Sequence, residues 1–84
     1  MIQIKKLIQI GEYTTKHPFL NKEVTYRAYI YFDEECELYY LDMPKFDGGY
    51  YLNNILSNSI AQLKRDITRT MHFKGSDMKW KGVE

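Results

Sequence analysis

Alternation is the strongest pattern along the chain. From Val24 to Phe32, the apolar Val24, Tyr26, Ala28, Ile30 and Phe32 interleave with Thr25, Arg27, Tyr29 and Tyr31. A period of two over this length predicts a strand with one face in the core. Glu37–Met43 repeats it, with Leu38, Tyr40 and Asp42 set against Tyr39, Leu41 and Met43. The acidic run Asp33-Glu34-Glu35-Cys36 between them predicts a turn, and so a hairpin. Upstream, Ile2–Thr15 is rich in β-branched residues. Ile2, Ile4, Ile8 and Ile10 share one parity with Lys6 interrupting, which favours a strand over a helix. Pro18 and Asn21 mark the turn that follows. These elements predict a three-stranded antiparallel meander.

The period changes after the break from Pro44 to Gly49. Leu52, Leu56, Ile60, Leu63, Ile67 and Met71 recur at spacings of four, four, three, four and four. That is the apolar stripe of a helix over about 52–71. Asn53 is its expected N-cap. Lys64, Arg65 and Arg69 lie toward its C-terminal end, where cations suit the dipole. Gly75 is expected to follow the stop. Met78–Val83 reads as either a short last strand or part of a loose tail over 73–84. The expected class is α+β: a three-stranded meander followed by one amphipathic helix packed on one sheet face, because neither surface can stay exposed. Its 84 residues suit one domain over 1–84.

Composition then narrows the function classes. Cys36 is the only cysteine, so it can form neither an intramolecular disulfide nor a thiolate metal cluster, and it suits a reducing compartment. Lys5 and Lys6 interrupt the first apolar residues, which spoils a secretory signal. No apolar run approaches the ~20 residues that a membrane span needs. A cytoplasmic protein with no membrane partner is expected. The net charge is +1, too small for a global field. The local layout is uneven. Residues 33–47 hold six acidic side chains against Lys45 alone, a net of −5, and residues 64–81 hold six basic ones against Asp66 and Asp77, a net of +4.

Catalytic and ligand motifs are weak. A Cys36 nucleophile paired with His17 or His72 would sit in an acidic turn that raises the thiol pKa. Asp33, Glu34, Glu35 and Glu37 do not match the spacing of a calcium loop. Asp47-Gly48-Gly49 has no Lys-Ser/Thr after it to make a phosphate loop. No catalytic residue, metal site or cofactor is expected.

Surfaces are more informative. There are eight tyrosines, and tyrosine combines stiff apolar area with a polar tip. Tyr29, Tyr31 and Tyr39 are expected on one sheet face beside Glu34, Glu35 and Glu37. That patch is the candidate protein-binding surface, or one buried in a homodimer. The alternative is nucleic-acid binding by Lys64, Arg65, Arg69, Lys74, Lys79, Trp80 and Lys81, with Trp80 stacking on a base. Nucleic acid ranks behind protein, because the turn next to the tyrosines is acidic.

The run Tyr26–Leu63 resembles the small HicB-type antitoxin domain. In that family two strands lead to an Asp-Leu-Pro-like end, a Gly-containing turn and a helix. Here Leu41-Asp42-Met43-Pro44, Gly48-Gly49 and Leu52–Ser59 take those places, with Leu52, Leu56, Asn58 and Leu63 at similar positions. Lys45-Phe46 and Asn53-Asn54 depart from the pattern, and the usual C-terminal DNA-binding segment is lacking. The resemblance implies a protein-binding inhibitor and assigns no contact residue. Small phage- or mobile-element-encoded proteins offer a similar association. The expected function is a non-catalytic protein-binding module, inhibitor-like or antitoxin-like, that acts by surface occlusion.

Overall fold

A computed structural model describes residues 5–83. Its elements are β1 (Lys5–Lys16), β2 (Glu23–Asp33), β3 (Leu38–Pro44), β4 (Tyr50–Ser57), α1 (Ile60–Thr70), a 3-10 turn (Gly75–Asp77) and β5 (Lys79–Gly82). The strands form one sheet in the order β4-β3-β2-β1-β5, with every neighbouring pair antiparallel. The expected three-stranded meander is therefore corrected to a five-stranded sheet. Ile2 and Ile4 of the expected first strand lie outside the described residues.

The largest correction concerns residues 52–57, expected to open a helix and found within strand β4. The physical reason is a bulge. Leu41 faces Ile55 and Met43 faces Leu52, so one residue of β3 stands against two of β4. Asn54 takes the left-handed conformation, with φ 51°, which asparagine tolerates better than most residues. Its backbone N–H donates to Asp42 Oδ1 at 2.8 Å. The extra residue puts Leu52 and Ile55 on the same side three positions apart, which imitates a helical step. Leu56 points the other way and is exposed.

The helix starts later. Ser59, not Asn53, is the N-cap, and its Oγ accepts from Gln62 N at 3.4 Å. Leu63 and Ile67 are fully buried on the sheet, each contributing about 2 kcal/mol of apolar burial. The helix is capped at Met71, whose N–H donates to Ile67 O. Gly75 opens the 3-10 turn and abuts the Lys64 carbonyl, where a Cβ would clash.

The core lies between the helix and one sheet face. It holds Tyr26, Ala28 and Ile30 from β2, Leu41 and Met43 from β3, Leu63 and Ile67 from α1, and Phe73 and Met78. Tyr13, Tyr26 and Phe73 stack at its lower end, with centroids 4.6 and 5.0 Å apart. A second bulge, between Leu7 and Gln9 in β1, accounts for the broken parity of the early isoleucines: Ile8 packs on the core, while Ile10 faces away beside Tyr29.

Candidate functional site

Directly paired residues of a sheet share a face. Because Tyr26, Ala28 and Ile30 point under the helix, Tyr29 and Tyr31 point to the opposite face. The register extends their rows. Leu7 faces Tyr31, Tyr31 faces Tyr40 and Tyr40 faces Leu56. Four adjacent strands thus contribute one apolar row. The next row runs Lys81, Ile10, Tyr29 and Asp42. Below it stand Lys79, Glu12 and Arg27.

This face is ordered by its own side chains. The Lys5 ammonium stands 3.9 Å over the Tyr40 ring and donates to Asn54 Oδ1 at 3.2 Å. That contact leaves Tyr40 only 9% exposed although no helix covers it. Burial and the neighbouring Asp42, Tyr29 and Tyr50 raise the Tyr31 phenol pKa, so it stays a neutral donor. Arg27 Nε and Glu12 Oε1 are 3.5 Å apart and both half exposed, so the pair adds little to stability. Leu56 and Tyr50 are each about half exposed on this face.

The acidic turn adjoins its upper end. Glu34, Glu35, Cys36 and Glu37 are exposed, and Glu37 turns the chain with φ 55°. Asp33 is 1% exposed and its Oδ1 accepts from Glu35 N at 2.9 Å. The contact between Asp33 and the Cys36 thiol raises the thiol pKa, with desolvation adding to it.

One expected member of the patch is placed differently. Tyr39 lies on the core side, with its ring 5.0 Å from Phe32. Tyr40 takes the place opposite Tyr31. Asp33 faces Leu38 across the turn, which aligns Leu38, Tyr40 and Asp42 with Tyr31 and Tyr29. Leu7, Ile10 and Leu56 were also missed, each because a bulge shifts the parity of its strand.

The basic residues do not gather into one surface. Trp80 faces the core: its Nε1 donates to Gly75 O at 2.9 Å and the Lys64 ammonium lies 4.7 Å from its ring centroid. Lys79 and Lys81, one position either side, project to the opposite face. Lys64, Arg65 and Arg69 stay on the helix, and Lys74 lies in the segment after it, where its backbone N–H donates to Asp77 Oδ2. Catalytic pairing is equally dispersed. His17 and His72 lie 6.2 Å apart at the lower end of β2, whereas Cys36 follows its upper end, a strand of about 30 Å away. Gly48 and Gly49 precede a strand rather than a helix. Among the described residues no cluster of His, Cys, Asp and Glu is arranged to hold a metal, and no helix is long and apolar enough to cross a membrane.

Comparison of the chain with protein-family models, curated proteins and solved structures returned no match. Nothing among these comparisons bears on the HicB-type resemblance.

Proposed function

We propose that this protein is a non-catalytic protein-binding module that occludes part of a partner through the open sheet face and the acidic turn beside it. One observation carries the reading: the row Leu7, Tyr31, Tyr40 and Leu56 crosses four strands on the face without the helix. Leu7, Tyr31 and Leu56 leave apolar area in water on either side of the covered Tyr40, at a cost of about 25 cal/mol per Å² that a partner recovers. Five strands about 4.8 Å apart make a face roughly 24 Å wide. That is the scale of a standard interface, about 800 Å² per partner. Glu34, Glu35 and Glu37 select a partner whose rim is basic, and speed its approach. The lone cysteine suits action in the cytoplasm.

The test compares wild type with Leu56→Glu, Tyr31→Ser and the triple Glu34→Lys, Glu35→Lys, Glu37→Lys as baits in host lysate treated with nuclease. A partner retained by wild type should be lost with the first two. It should associate more slowly with the triple variant, and the difference should shrink in high salt. A partner held equally by all four baits would overturn the reading.

A further inference from the structure

Two of the most exposed apolar side chains stand at one end of the molecule. Phe19 is 89% exposed in the loop from β1 to β2, and Phe46 is 81% exposed in the loop from β3 to β4. In an antiparallel sheet these two loops share an end. Phe46 also flanks the same shallow depression as Lys22 and Val24, at the start of β2. Leu20, 52% exposed, extends the first tip.

The first tip is built to hold this arrangement. His17 Nδ1 accepts from the backbone N–H groups of Phe19 and Leu20, at 3.1 and 3.2 Å. His17 N donates to Lys22 O at 2.8 Å, closing the loop. The imidazole is thereby committed to the turn, and the two apolar side chains are left outside it. Neither Phe belongs to the core cluster or to the residues packed against it, so folding gives no reason for their exposure.

Charge follows the same axis. Lys16, Lys22 and Lys45 flank the tips, against Glu23 and Asp47. The molecule is 45 Å long and about half as wide, and Glu34, Glu35 and Glu37 occupy the opposite end, near Lys5 and Lys6.

We propose that these two tips seat the protein on an anionic lipid surface. Phe19, Leu20 and Phe46 enter the interfacial layer, and Lys16, Lys22 and Lys45 lie among the headgroups. The shape favours lipid over a protein pocket: separate convex tips need a matching pair of cavities in a protein, while a lipid interface deforms around them. The acidic end then points away from the anionic surface. Since the whole chain carries only +1, attraction is local, and association is reversible. The strands stand end-on to the surface and the open sheet face stays free, so this inference is independent of the partner proposed above.

The test is co-sedimentation of the full chain with vesicles of phosphatidylcholine alone and of equimolar phosphatidylcholine and phosphatidylserine. Binding is expected to the mixed vesicles and to be about tenfold weaker on the neutral ones. Phe46→Ser and the double variant Phe19→Ser, Leu20→Ser should each weaken binding by about tenfold, as should the double variant Lys22→Glu, Lys45→Glu. All these sites are exposed, and far-ultraviolet circular dichroism should be unchanged. Absence of binding to the mixed vesicles would overturn the proposal. So would binding that ignores both Phe variants, or a protein partner captured through Phe19 and Phe46 in place of lipid.

Discussion

Trp80 lies face-on across Gly11. The two are paired between β5 and β1, and a Cβ at position 11 would stand 2.8, 2.8 and 2.9 Å from three atoms of the six-membered ring. Only the missing side chain lets the indole cover the strand. The ring cannot simply swing aside, because its Nε1 is bonded to Gly75 O. This contact fixes β5 to the sheet and, with it, the positions of Lys79 and Lys81 on the open face.

Gly11→Ala should therefore destabilise the fold by about 1–3 kcal/mol, as overpacking does. Gly75→Ala should cost more, since its Cβ would meet the Lys64 backbone rather than a side chain. It would also disturb the Gly75 N–H bond to Thr68 Oγ1, 2.9 Å long. Urea unfolding followed by Trp80 fluorescence measures both. An unchanged midpoint for Gly75→Ala would show that the 3-10 turn does not pack on α1.

The two candidate helix caps separate cleanly. Ser59→Ala removes the acceptor for Gln62 N and should cost about 0.5–1 kcal/mol. Asn53→Ala changes an exposed strand position and should stay within about 0.5 kcal/mol of wild type. Chemical denaturation of the two variants decides between the observed helix start and one at residue 53. The reverse order of costs would place the helix start at Asn53.

The strands of the central hairpin were legible because Val24–Phe32 alternates and the apolar run in Glu37–Met43 returns after an acidic turn. The edge strand β4 was not. Asn54 adds one residue to the strand, and the resulting interval from Leu52 to Ile55 reads as a helical step. Only Ile60, Leu63 and Ile67 belong to the true helical stripe, and Met71 caps its end. The same cause hid half of the open face. Tyr29 and Tyr31 could be named from the pattern, but choosing Tyr40 over Tyr39 required the pairing of Asp33 with Leu38 across the turn. Trp80 could be read as core or as a stacking platform until Gly11 and Gly75 were seen to hold it.

Cys36 is exposed, yet its thiol should react slowly. The neighbouring Asp33 carboxylate favours the protonated thiol, and partial desolvation acts in the same direction. A raised pKa leaves less thiolate at a given pH, and the thiolate is the nucleophile. Alkylation by iodoacetamide near neutral pH should be slower than for cysteine in an unstructured peptide, and its rate should rise at higher pH than the peptide's. Asp33→Asn keeps an acceptor for Glu35 N and removes the charge, and should move the profile toward lower pH. A profile unaffected by Asp33→Asn would show that the carboxylate does not set the thiol's reactivity.

Site-specific photocrosslinking in the native host reads the occupant of the open face directly. A benzophenone side chain is placed at Leu56 on the open face, and in separate proteins at Tyr31 and at Arg65 on the exposed side of α1. One discrete crosslinked protein is expected from positions 56 and 31 and none from 65. Crosslinks from position 65 alone, or none from the open face, would contradict it.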